Sequence, residues 1–145
     1  MLRGSFDDTT GRPYIEGTLI LPRSRIWSVI SFLVDTGADT SRLHPLDGFR
    51  IGLDYPQLRG RAESTGIGGA VFDYEEEAVV IFAEGVVSYY VYQVKLAIAL
   101  PTEGTMSLPS LLGRDILDRW YMTYNPSKKT LRFKVISSDR TVRFP

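Results

Sequence analysis

Residues 26–34 constrain this chain most. Ile26, Ser28, Ile30, Phe32 and Val34 alternate with Trp27, Val29, Ser31 and Leu33, and both sets are mostly apolar. Such a run reads as a strand that belongs inside a sheet or between two layers. It leads without a break into Asp35-Thr36-Gly37-Ala38. A carboxylate therefore sits where a buried strand gives way to a small-residue turn. By composition alone an Asp-Thr-Gly triplet turns up in roughly 3% of chains of this length, so it needs company before it means anything.

The rest of the chain carries the same period. Tyr14 to Leu21 reads as a strand that ends at Pro22 and turns through Arg23-Ser24-Arg25, forming a hairpin that feeds Asp35. His44-Pro45-Leu46-Asp47-Gly48 has loop chemistry. Tyr74 to Phe82 is a strand, Glu84-Gly85 a turn, and Val86 to Leu100 the return, with Val94, Leu96, Ile98 and Leu100 on one face. Residues 101–110 form a loop. Arg114 to Trp120 is the one helix candidate, about two turns long. A last hairpin runs from Tyr121 to Ile136 around Asn125-Pro126-Ser127-Lys128, followed by a short strand from Thr141 to Phe144. The expected class is all-β, a single domain over 1–145 with one short helix.

Composition narrows the functions. Seventeen basic and seventeen acidic residues cancel, which gives no electrostatic reason to expect nucleic acid or an anionic membrane as partner. The absence of cysteine rules out a disulfide framework and thiolate chemistry, and one histidine argues against a histidine-based triad or a multi-histidine metal site. No apolar run has the length of a membrane span, and the first residues lack the apolar core of a signal peptide. The expected setting is cytoplasmic. A calcium loop built on Asp35 and Asp39 fails, because its third and twelfth positions are Gly37 and Leu46. No metal or cofactor is expected. Glu75-Glu76-Glu77 reads as a solvated strand start, and His44 as a loop residue. Trp27, Trp120 and the tyrosines read as core or interface packing.

Two further segments follow Asp-Thr-Gly in order. Thr65-Gly66-Ile67-Gly68-Gly69-Ala70 is a glycine-rich tip between strand-like runs, and Leu111-Leu112-Gly113-Arg114-Asp115-Ile116-Leu117 is an apolar pair, a glycine and a helical stretch. With Asp35-Thr36-Gly37 these resemble the retropepsins, the single-lobed retroviral-type aspartic proteases, and their cellular and bacterial relatives. The likeness covers about residues 14–124 and rests on the three motifs. It implies a closed β-barrel and an aspartic endopeptidase.

The chemistry of that class needs two carboxylates, and this chain holds one Asp-Thr-Gly and no Asp-Ser-Gly. The resemblance therefore implies a homodimer, with one Asp35 from each copy flanking a water. Thr36 would bond across the two-fold to the partner's backbone; Gly37 would permit close approach of the substrate, with Ala38 beside it. Arg114 would pair with Asp39 and lock the loop that carries Asp35. Gly66, Ile67, Gly68 and Gly69 would form a flap over the bound peptide. The alternative for Asp35 is a plain turn aspartate, for Gly66–Gly69 an ordinary hairpin turn, and for Arg114 and Asp115 an exposed helix start.

About thirty residues follow Arg114, more than viral members carry, and residue 40 is threonine where many of those have another acid. The dimer interface is thus expected to differ from theirs, with the strand from Thr141 to Phe144 as its candidate. The rival function is the same fold as a catalytically silent dimerisation or peptide-binding module.

Overall fold

The computed structural model describes residues 1–66 and 69–145, with side chains described outside residues 61–72. Short strands β1 (Leu2–Arg3) and β2 (Ser5–Phe6) precede the long hairpin β3 (Pro13–Leu21) and β4 (Ile26–Val34). Next come β5 (Arg42–Leu43), helix α1 (Pro45–Arg50), β6 (Arg61–Gly66), β7 (Gly69–Glu84) and β8 (Ser88–Ala99). The chain continues through β9 (Leu111–Leu112), helix α2 (Arg114–Leu117), β10 (Trp120–Asn125), β11 (Thr130–Val135) and β12 (Arg140–Arg143). No described helix is long and apolar enough to cross a membrane.

Six strands close a ring. β4 pairs with β3, β3 with β7, β7 with β8, β8 with β5, β5 with β9, and β9 returns to β4. Closure gives every strand of the ring a neighbour on both sides, while β12 extends it at β8 and β6 at β7. Residues on alternate positions fill the barrel: Ile15, Leu19 and Leu21 from β3, Ile30, Phe32 and Val34 from β4, Val80 and Phe82 from β7, and Tyr92, Leu96 and Ile98 from β8 are all buried. Gly17 belongs to that inward set because a Cβ there would meet the Phe82 ring at 2.8 Å.

A second, three-stranded sheet of order β1-β11-β10 stands beside the barrel. Trp120 joins the two. Its ring meets Phe82 edge-on at 4.8 Å and Phe133 at 5.0 Å, and its indole N–H donates to the Tyr92 hydroxyl at 2.7 Å. That hydroxyl in turn donates to the Ser137 carbonyl at 2.9 Å, so no polar atom of the pair is left stranded in the core.

The all-β class expected from the period and the closed barrel implied by the resemblance are both present, and several local expectations change. α1 stands where loop chemistry was expected: Pro45 occupies the first turn, Asp47 lies in that turn and Arg50 in the last, each where a helix end favours it. α2 ends at Leu117 after one turn, and Trp120 opens a strand instead of closing the helix. Only the inner face of β4 is buried; Trp27, on the outer face, is 75% exposed. The final strand pairs antiparallel with β8 of its own chain. Glu76 is buried, gripped by Arg23 through Nε and Nη2, while Glu75 and Glu77 are exposed. His44 is buried too.

Candidate active site

The loop carrying Asp35 is held by backbone from below. β9 lies parallel to β4, with Leu33 against Leu111 and Val34 against Leu112. The Asp35 amide donates to the Leu112 carbonyl at 3.0 Å, which fixes the aspartate as the last residue tied to the barrel. Beyond it the chain turns: the Ala38 amide donates to the Asp35 carbonyl at 3.2 Å, and the Gly37 amide to the Asp35 carboxylate at 2.9 Å. Asp35 thus makes the local turn bond expected of a turn aspartate, through Oδ1. Its side chain is half-buried at the surface end of β4.

α2 clamps the far side of the loop. The first amides of a helix have no partner inside it and must find one elsewhere. Here Arg114 N–H donates to the Ala38 carbonyl at 2.8 Å and Asp115 N–H to the Asp39 carbonyl at 3.2 Å. Gly113 makes this approach possible. A Cβ on it would lie 2.5 Å from the Thr40 carbonyl carbon and 2.9 Å from the Ala38 oxygen. Only a residue without a side chain fits between the two segments.

Side chains add a second clasp. The Asp115 carboxylate accepts from the Ser41 amide at 2.9 Å and from the Ser41 hydroxyl at 2.8 Å, and that hydroxyl accepts from the Gly113 amide at 3.0 Å. Ser41 is fully buried. Arg114 does pair with Asp39, in an exposed position where solvent screens the interaction: Asp39 is 83% exposed. The buried tie therefore runs through Asp115 and Ser41. The sequence carried a signal for it, a hydroxyl residue six positions after Asp35 and an acid directly after Gly-Arg, but only the antiparallel pairing of β5 with β9 brings them together.

Thr36 and Gly37 are exposed. Thr36 lines a shallow hollow with Pro13, Val34, Met122 and Tyr124, so β10 borders the Asp35 loop. Behind the loop lies a polar cluster. His44 donates its amide to the Ser110 hydroxyl at 3.0 Å, that hydroxyl donates to Asp47 at 2.7 Å, and the His44 Nδ1–H donates to the Pro109 carbonyl at 2.6 Å. Burial pushes the imidazole below its ordinary value near 6.5. Arg42 forms an ion pair with buried Asp73, which joins β5 to β7.

β6 and β7 pair antiparallel from Arg61 with Tyr74 to Gly66 with Gly69. Ile67 and Gly68, the centre of the expected flap, lie outside the described residues. Among the described residues no group of three or more acidic, histidine or cysteine side chains is arranged to hold a metal ion.

No protein-family model and no curated protein sequence matches the chain. Among solved structures it is similar to a retropepsin-like aspartic protease from Rickettsia conorii, at 21% identity and a TM-score of 0.54, over 90% of this chain and 87% of that one. It is also similar to EIAV protease complexed with the inhibitor HBY-793, at 23% identity and a TM-score of 0.46, over 77% of this chain and 90% of that one. The Rickettsia likeness spans nearly the whole of both chains, and the fold is retropepsin-like: a single-lobed, all-β barrel.

Proposed function

We propose that this chain is an aspartic endopeptidase that works as a homodimer, with Asp35 of each copy forming the catalytic pair. The observation that carries the reading is the mounting of Asp35. A single carboxylate stands at the open end of a barrel strand, its loop held by α2 amides and by the Ser41–Asp115 clasp. That is costly rigidity for a turn and appropriate rigidity for a group that must meet its twin within hydrogen-bond reach. Thr36, Gly37, Ala38, Asp39 and Arg114 support the site and do no chemistry themselves.

Two carboxylates about 3 Å apart cannot both ionise, so they share one proton. The ionised member takes a proton from a water held between them as its oxygen attacks the scissile carbonyl carbon. The protonated member gives its proton to the carbonyl oxygen, and a tetrahedral diol results. When the diol collapses, the C–N bond breaks and the nitrogen leaves with a proton from the dyad. No metal or covalent intermediate enters. An extended peptide would lie across the dyad as an added strand, under the glycine-rich tip from Gly66 through Ile67 and Gly68 to Gly69.

The test is cleavage of a mixed peptide library from acid to neutral pH at high protein concentration, with Asp35→Asn in parallel. Cleavage by the wild type alone is the expected result. Absence of cleavage by a sample shown to be dimeric, or equal cleavage by the variant, would overturn the reading.

A further inference from the structure

We propose that the outer edge of β4, from Trp27 to Ser31, takes an extended segment of another protein as an added strand, apolar and carrying an acidic residue. The proposal rests on the fold alone and stands whether or not Asp35 is catalytic.

Neighbouring residues of a strand turn their backbone groups to opposite edges. The Leu33 and Asp35 amides donate away from β3, to the Ser110 and Leu112 carbonyls, and the Val29 carbonyl accepts from Arg50 Nη2 at 3.0 Å. The odd-numbered residues of β4 therefore face away from β3. β3 pairs with β4 from Ile26 to Leu33, whereas β9 covers the other edge only at Leu33 and Val34. That leaves the amides and carbonyls of Trp27, Val29 and Ser31 along an open edge, where Arg50 is the one partner they meet among the described residues. Proteins that must avoid pairing protect such edges with charge or proline. The run Trp-Ser-Val-Ile-Ser has neither.

The surroundings are apolar. The side chains of Trp27 and Val29 are exposed, and on α1 Leu46 and Phe49, three residues apart and so on one side of the helix, are 60% and 52% exposed. Arg50 ties α1 to β4, and Ser110 ties the preceding loop to both: its carbonyl accepts from Leu33 and its hydroxyl donates to Asp47. That loop carries Leu108, exposed as well. Exposed apolar groups on three segments, bonded together around unpaired backbone, exceed the scattered hydrophobicity of an ordinary surface.

The edge itself selects the occupant. A row of amides and carbonyls at strand spacing matches the backbone of an extended polypeptide. A second copy fits poorly, because antiparallel self-pairing about Val29 would bring both Arg50 guanidiniums to the axis, where like charges repel. A different segment with an acid at that point turns the same cation into a partner. Arg50 is half exposed and spends one nitrogen, Nη2, on both Val29 and Asp47. Ser31 and Trp27 precede Asp35 by four and eight residues, which at about 3.3 Å per residue places the edge roughly 13–26 Å back along the strand. A protein anchored here leaves the Asp35 end clear.

The test uses the full chain carrying Asp35→Asn, so that no bound peptide is consumed, to select from a random-peptide library. The enriched peptides are then synthesised and titrated. Apolar sequences with one acid are expected, and their binding is expected to slow amide exchange at Trp27, Val29 and Ser31. Val29→Pro removes one outward N–H and keeps the ladder to β3, so it is expected to stay folded and weaken the peptide about tenfold. Arg50→Glu is expected to weaken it similarly and to recover affinity for the same peptide with lysine in place of the acid. Should Val29→Pro unfold, the Arg50→Glu exchange of preference decides.

No enriched peptide, protection of other strands instead, or unchanged affinity in a folded variant would overturn the proposal. Slowing of the same amides by protein concentration alone would give the edge to a second copy, and slowing by phosphatidylglycerol vesicles to a membrane surface; either result overturns it too. With Asp35 restored, Arg50→Glu is expected to cleave library peptides like the wild type. Anchoring without cleavage sinks the hydrolase and keeps the edge, and cleavage without anchoring does the reverse.

Discussion

At the scale of single residues, His44 shows how one side chain couples the interior to pH. Its ring is buried, with Nδ1–H committed to the Pro109 carbonyl, and Arg42 nearby further disfavours a positive charge, whereas Asp73 and Asp47 favour it. Desolvation is the largest of these effects and lowers the folded-state value below the ordinary 6.5. Between those two values the unfolded chain binds a proton that the folded chain refuses, so stability is lost as pH falls through that window. The expectation is a melting temperature that declines as pH drops below about 6.5, with a shallower decline in that window for His44→Gln. A slope identical in both proteins would assign the acid sensitivity to other groups. This burial was not legible beforehand, since one histidine beside Pro45 and Gly48 reads as loop.

Elements explain what the sequence revealed and what it hid. β3, β4, β7 and β8 were legible because a half-buried strand imposes period two, and Gly17 or Thr18 does not break it. α1 was hidden because Pro45 signals both a loop and the first position of a helix, and six residues are too few for a 3.6-residue period to declare itself. α2 was overextended because Trp120 is apolar at helical spacing from Ile116 and Leu117, whereas its indole is claimed by Tyr92 across the barrel. Of the candidate site, the Arg114–Asp39 pair was expected from the resemblance alone; the Ser41–Asp115 clasp joins residues 74 positions apart and needed the topology. Gly113 is the most exacting point of contact between elements. Gly113→Ala is expected to force α2 away from the Asp35 loop, destabilising the protein by about 1–3 kcal/mol and lowering activity in the fraction that remains folded. Unchanged melting and unchanged turnover would mean that the loop tolerates the separation.

For the whole molecule the proposed function has one sharp consequence, since it gives each chain only half a site. Mixing equal amounts of wild type and Asp35→Asn, with time for subunit exchange, should leave about one quarter of the dimers with two native carboxylates. Activity per total protein is then expected to fall to about one quarter, measured at fixed total concentration above the dimer Kd. A fall to one half would mean that each chain acts alone.

The two tryptophans sit in opposite optical surroundings. Trp27 stands in water on the outer wall of β4, and Trp120 is packed among Phe82, Tyr92 and Phe133 at the root of β10. A water-soluble quencher should silence the first and spare the second, which leaves an emission band that belongs to one ring. That ring opens β10, the strand that borders the Asp35 loop, so the chain carries its own lamp beside the candidate site.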